Sequence, residues 1–244
     1  MASPAFNEKT FEQVRAHGGE AMTVEGAINK SALLLFLVVV PAAWVWAKAM
    51  RAVDPATAVM PYLIGGAIGG LVFALITIFK KEWAPVTSPV YAVLEGLAMG
   101  AISAFYQLQF KGIVLQAVFL TFAVLGGMLM LYRTGVIKVT ERFRMIVVAA
   151  TFSIVIIYVV TIGLGLFGVS MPYIHDNGII GIVFSLVVVG IASLNLALDF
   201  DLIEKGTQAG APKYMEWYAA FGLMVTLIWL YLEILRLLSK LRSR

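Results

Sequence analysis

Behind a polar stretch of mixed charge from Ser3 to Lys30, the chain is a succession of apolar runs separated by short polar breaks. The runs cover approximately Asn29–Trp46, Met60–Phe79, Pro89–Leu108, Ile113–Tyr132, Met145–Phe167, Gly178–Asp199 and Met215–Leu238. Each is near the roughly 20 residues that cross a bilayer as a helix. The breaks hold turn formers and charges: Asp54-Pro55, Lys80-Lys81-Glu82, Lys111-Gly112, Pro172 and Gly210-Ala211-Pro212. Transmembrane strands would be about half as long and would alternate in polarity, and these runs do not. Backbone groups in hydrocarbon must be satisfied within the segment, so helices are expected. The predicted fold is an all-α, seven-transmembrane-helix bundle spanning residues 29–238. Residues 1–28 form a polar tail with a short helix near Thr10–Ala16, and 239–244 form a basic C-terminal tail.

Composition agrees. Hydrophobic residues make up 61% of the 244 positions and charged residues only 13%, with a mean hydropathy of +0.93. A soluble domain carries roughly 25% charged residues, so the chain lacks the charge to cover a water-facing surface. With no cysteine in the sequence, disulfides, thiolate metal sites and cysteine nucleophiles are excluded. The small net charge of +4 follows topology and gives no reason to expect a nucleic-acid partner. The tail does not resemble a secretory signal, which places basic residues directly before its apolar run.

The distribution of Lys and Arg sets an expected orientation. Arg133, Lys138, Arg142 and Arg144 form the densest loop cluster, on the same side as the N-terminal tail, Lys80-Lys81, Lys205 and Lys213. The other side carries Lys48, Arg51 and Lys111, and the loop around His175 has no Lys or Arg. This predicts a multi-pass protein of the cell's inner membrane with a cytoplasmic N-terminus. The basic residues Arg236, Lys240, Arg242 and Arg244 run against that assignment, because a seventh span would carry them outside; an incomplete or re-entrant last span would reconcile them.

Gly65, Gly66, Gly69 and Gly70 give two overlapping GxxxG spacings in the second helix, and Gly96 with Gly100 gives one in the third. Small residues four apart form a flat stripe against which another helix packs closely. Intramolecular packing is the expected use, and an oligomer interface is the alternative.

Ionisable groups at membrane depth are costly and are functional candidates by default. Glu95 lies about two turns into the third helix among apolar neighbours. Asp199 and Asp201 close the sixth, Glu216 opens the seventh, and Glu233 lies late in it, one turn before Arg236. In the expected topology Glu95, Asp199, Asp201 and Glu216 occupy the inner half of the membrane. Glu233 lies roughly 25 Å from Glu216 along the helix, too far for it to touch Asp199. Asn195 shares a helix face with Asp199, four residues away, while Asp201 points elsewhere. An acid beside an amide holds a proton or a cation, and an all-oxygen ligand set suits Ca²⁺ or Mg²⁺. Asp199 and Glu95 are the candidate Ca²⁺ ligands. The plainer readings are interfacial capping for Asp199 and Asp201, an acid suited to a helix N-terminus for Glu216, and an i,i+3 pair for Glu233 with Arg236.

Other chemistries lack their residues. There is no P-loop. No lysine lies between Lys213 and Lys240 to form a retinal Schiff base in the last helix, and the only histidines are His17 and His175. Gly168-Val169-Ser170 is a loop rather than a nucleophile elbow, and Trp44, Trp46, Trp83, Trp217 and Trp229 read as interfacial anchors. No enzymatic activity and no tightly bound cofactor are expected.

Three segments together resemble the Bax inhibitor-1 (transmembrane Bax inhibitor motif) family in its bacterial branch: Val90-Tyr91-Ala92-Val93-Leu94-Glu95-Gly96, Leu198-Asp199-Phe200-Asp201-Leu202-Ile203, and Leu232-Glu233-Ile234-Leu235-Arg236-Leu237-Leu238. Ala211 to Tyr218 resembles a subfamily signature. The resemblance covers nearly everything after the tail. It implies a bundle with the last helix central, and a pH-sensitive Ca²⁺ leak closed by a pair of carboxylates on the sixth and last helices. Asp199 matches the first. Matching Tyr231-Leu232-Glu233 to the family's Tyr-Leu-Asp makes Glu233 the second, whereas anchoring on Leu235-Arg236 puts Thr226 there. The second register is preferred, since Glu233 lies at the wrong depth. This protein then departs from the standard pair, and Glu95 or Glu216 is left to partner Asp199, or the gate is altered or absent.

The leading expectation is therefore a cation leak, with Ca²⁺ as transported ion, gated by protonation near Asp199. Two alternatives stand beside it. One is a non-transporting regulator that binds other membrane proteins, such as a membrane protease or the secretion machinery. The other is a proton-coupled cation exchanger.

Overall fold

The structure is a computed structural model and describes residues 20–166 and 178–243. The expected tail helix, His17, Pro172 and His175 lie outside the described residues. Seven helices among the described residues are long and apolar enough to cross a membrane. In chain order they are α1 Val24–Arg51, α2 Pro55–Phe79, α3 Ala84–Gln109, α4 Ile113–Arg133, α5 Glu141–Leu166, α6 Ile179–Gln208 and α7 Met215–Arg242. A short 3₁₀ turn, Lys81–Trp83, precedes α3. Among the described residues there is no strand, only an isolated antiparallel bridge between Ala21 and Pro212. The chain is an all-α, seven-span membrane protein.

Several boundaries differ from those expected, for local reasons. α1 begins at Val24 rather than Asn29 because Thr23 caps it, its hydroxyl accepting from the Gly26 amide at 2.9 Å; such a cap satisfies one of the orphan donors of the first turn. α2 starts at Pro55 behind Asp54, whose carboxylate accepts from the Ala56 and Thr57 amides. Proline is tolerated at the first helical position, where its missing N–H costs nothing. α3 starts at Ala84, so Pro89 falls inside it. α6 does not end at Asp199 but continues to Gln208. Leu202 and Ile203 are buried, and Asp201 supports the added turns through an i,i+4 ion pair with Lys205 at 3.0 Å. The chain then turns at Gly210, whose φ of +66° suits a residue without Cβ.

The spans differ in how much they bury. The most apolar stretch of α7 is 61% buried and that of α3 56%, against 17% for α2 and 18% for α5. α2 and α5 therefore turn most of their surface outward. Their exposed Ile64, Ile68, Leu71, Ile156 and Val159 suit lipid, where apolar exposure carries no hydration cost.

The described residues divide into two compact units, one drawn from Gly112–Phe200 with the chain from Thr226 onward, the other from Glu20 to Lys111 with Asp201–Val225. In the second unit, glycines let α1, α2 and α3 approach backbone to backbone. A Cβ on Gly66 would lie 2.6 Å from the Leu94 carbonyl oxygen and 2.8 Å from the Ala98 nitrogen. One on Gly96 would overlap the Val38 carbonyl and one on Gly100 the Ala42 carbonyl. Gly69 meets the Leu94 side chain, Gly70 meets Glu95, and Gly65 faces open space. Five of these six glycines are thus used in packing within the chain. Val45, Ala49, Val59, Ala101 and Ala104 form the adjoining buried cluster. Here the start of α7 buries Met215, Tyr218 and Phe221, and Phe221 meets Tyr91 edge to face with centroids 4.9 Å apart.

In the first unit the later half of α7 buries Leu230, Ile234 and Leu235, with Val147 and Ile154 of α5 and Val188, Ala192 and Leu196 of α6 also enclosed.

Candidate functional site

Asp199 sits in the body of α6 and is 2% exposed. Its carboxyl accepts a hydrogen bond from the Thr226 hydroxyl of α7, and its Oδ2 is enclosed with no hydrogen-bond partner. No cation is paired with it among the described residues. A buried carboxylate without a counter-charge is costly, and an orphaned acceptor in a native fold calls for an explanation such as a proton, an ion or water. Thr226 itself is 3% exposed. Glu233 lies seven residues further along α7, about 10 Å by helical rise.

The other candidate polar groups on the sixth and seventh helices are engaged elsewhere. Asn195 is buried, and its amide donates to the Thr151 hydroxyl at 2.8 Å and the Ile191 carbonyl at 2.9 Å. That commits its donor group to α5 and to its own helix. Asp201, expected near the pathway, is held by Lys205. Glu216 is fully buried, and its Oε1 accepts from the Thr23 amide and hydroxyl, each at 3.0 Å, and from Lys213 Nζ at 3.2 Å. Its Oε2 takes no hydrogen bond but lies 3.5 Å from Lys30 Nζ. Glu216 is thus a tie between the start of α7 and the cap of α1, reinforced by the Met22 amide donating to Ala211 O at 2.6 Å and the Lys213 amide to Glu20 O at 3.0 Å. The Glu216 carboxylate in turn holds the Lys213 ammonium above the ordinary lysine range.

Glu95 is half-buried on α3. Its carboxylate lies over Gly70 of α2, 2.6 Å from where a Cβ would stand. The glycine therefore makes room for the acid.

Glu233 is 1% exposed. It accepts from the Tyr158 hydroxyl at 2.9 Å, from Trp229 Nε1 at 3.2 Å and from Arg236 Nη1 at 2.9 and 3.0 Å. Arg236 also donates to Tyr158 Oη at 2.6 Å. The local pair with Arg236 is thus part of a four-residue network of Glu233, Tyr158, Trp229 and Arg236.

Of the C-terminal basic residues that strained the charge rule, Arg236, Lys240 and Arg242 are tied into the first unit, and Arg244 lies outside the described residues. Lys240 is 4% exposed and donates to Gly181 O at 3.0 Å and Ser185 Oγ at 2.9 Å. Arg242 donates to Gln116 Oε1 at 2.7 Å. Both stand at the end of the last span, so the charge rule still counts them against a cytoplasmic N-terminus.

A resident Ca²⁺ takes 6–8 oxygen ligands, and among the described residues no group of three or more His, Cys, Asp or Glu is placed to hold a metal. Asp199 and Glu95, the candidate ligands, belong to no such cluster.

Sequence reasoning missed Tyr158, Trp229, Thr151 and Thr23 as polar partners. Thr23 carried a signal, since a threonine just before a helix is a capping residue. Tyr158 and Thr151 carried none, because each stands alone in an apolar run and its partner comes from another helix.

No curated protein and no solved structure matches the chain significantly. A family model, described as Bax inhibitor 1 like, matches residues 3–243. With that match over nearly its whole length and seven apolar spans, the chain belongs to the Bax inhibitor 1 like family of multi-pass membrane proteins.

Proposed function

We propose that this protein is a cation-permeable leak of the cell's inner membrane, with its N-terminus in the cytoplasm, in which Ca²⁺ passes and protonation at Asp199 controls the flux. The observation that carries the reading is the enclosed Asp199 carboxyl with one oxygen on the Thr226 hydroxyl and the other unpartnered. A single buried acid facing a neutral hydroxyl changes its charge by one when a proton binds or leaves, and a permeating cation senses that change directly. Engagement of Glu216 and Glu233 in their own networks favours Asp199 over them as the responsive acid. The cluster of basic residues from Arg133 to Arg144 supports the orientation.

The test is Ca²⁺ release from liposomes holding the purified protein, measured across pH for wild type and Asp199→Asn. The expected result is flux above empty liposomes, with a pH dependence that the variant flattens. Wild-type and variant fluxes both at the empty-liposome level would overturn the leak and favour a regulator of other membrane proteins. Flux that requires an opposing proton gradient would instead indicate an exchanger.

A further inference from the structure

The end of α1 and the start of α2 border a cavity that the site above does not use. Its volume is about 470 Å³, and it is lined by Trp44, Ala47, Lys48, Arg51, Ala52 and Ala58. Two cations one turn apart thus open onto one apolar hollow. Lys48 is held in place: its Nζ donates to the Tyr62 hydroxyl at 2.7 Å and lies 4.7 Å from the Tyr62 ring centroid and 5.5 Å from that of Trp44. The two rings meet edge to face at 5.3 Å. Arg51 is exposed and makes no hydrogen bond or ion pair among the described residues. The nearest acid in the chain, Asp54, is turned to the first turn of α2. The Thr57 hydroxyl and amide hold its carboxyl below the usual range, so it serves the helix cap instead of neutralising Arg51.

We propose that this cavity binds the headgroup of an anionic phospholipid, with Lys48 and Arg51 on the phosphate and Trp44 and the alanines against the glycerol and first methylenes. Arginine offers a planar fork of donors to phosphate, and lysine a point charge. Tryptophan and tyrosine are the side chains that settle at headgroup level. The lipid is favoured over free phosphate by what leads to the cavity. Phe36, Val40 and Trp44 are 63%, 48% and 53% exposed and stand four residues apart on α1, in line with Lys48. That stripe is about 18 Å long by helical rise, slightly more than half of the roughly 30 Å hydrocarbon core. An acyl chain lies along it when its phosphate sits at Lys48.

The experiment is native mass spectrometry of the detergent-purified full chain, titrated with phosphatidylglycerol, with phosphatidylcholine of the same acyl chains, and with inorganic phosphate. Each basic residue near an anionic headgroup is worth roughly fivefold in affinity, so wild type is expected to prefer phosphatidylglycerol on the order of tenfold. Lys48→Gln/Arg51→Gln is expected to bring the preference within about twofold. Arg51→Gln alone, at an exposed residue with no hydrogen bond or ion pair among the described residues, gives an intermediate value. Lys138→Gln/Arg142→Gln, at another basic stretch, leaves the wild-type preference. Equal affinity for the two lipids would overturn the proposal. So would a preference unchanged in Lys48→Gln/Arg51→Gln or lost in Lys138→Gln/Arg142→Gln, or displacement of the lipid by inorganic phosphate.

Discussion

The carboxylate of Glu216 occupies the space that a side chain on Gly26 would need: a Cβ there would overlap both of its oxygens and its Cδ. The first turn of α1 and the first turn of α7 are fitted to each other at that point. The buried acid takes its hydrogen bonds from Thr23 and Lys213 while the glycine leaves it room.

Gly26→Ala should therefore displace Glu216 from its donors, destabilising the protein by about 1–3 kcal/mol through overpacking alone. Gly65→Ala makes the same chemical change on α2, where nothing lies within 4 Å, and should change stability by less than about 0.5 kcal/mol. Thermal unfolding of both variants in one detergent checks this. Equal midpoints would mean that Glu216 moves aside without cost.

Thr226→Val keeps the shape of the side chain and removes the hydroxyl that Asp199 accepts from. Leaving that carboxyl with neither oxygen bonded should cost about 1–3 kcal/mol, whereas Thr226→Ser, which keeps the hydroxyl, should stay near wild type. Denaturation midpoints read the stability. A valine variant as stable as the serine variant would show that the bond carries no weight.

Tyr158 and Arg236 both donate to Oε1 of Glu233, and Arg236 donates to Tyr158 as well. Groups in one such network are not additive. Tyr158→Phe, Glu233→Gln and the pair should give a coupling energy of about 0.5–3 kcal/mol in a double-mutant cycle. Coupling within error of zero would mean the tyrosine and the acid act independently.

Much of the candidate site was legible in the residue pattern. Asp199, Glu95 and Glu216 stand out because an acid in an apolar run has few reasons to be there. The pair of Glu233 with Arg236 was visible because i,i+3 neighbours meet on any helix. Their wider partners were not visible. Glu216 reaches Thr23 and Lys30 across nearly the whole chain, and Lys240 finds Gly181 and Ser185 on another helix. Such contacts depend on the rotation and depth of two helices together, which neither apolar run contains.

By itself the sequence determined that seven helices cross a membrane. Lipid requires each span to satisfy its own backbone, and that requirement is local, so run length and composition express it completely. Thr226 as the neighbour of Asp199 was already the preferred register of the family resemblance, whereas the tertiary structure alone decided what the other acids meet: Gly70 under Glu95, and a network of lysine and threonine around Glu216. The reason is physical. A carboxyl inside a bundle is governed by whichever donors come within about 3 Å, and helices separated by long stretches of chain supply them.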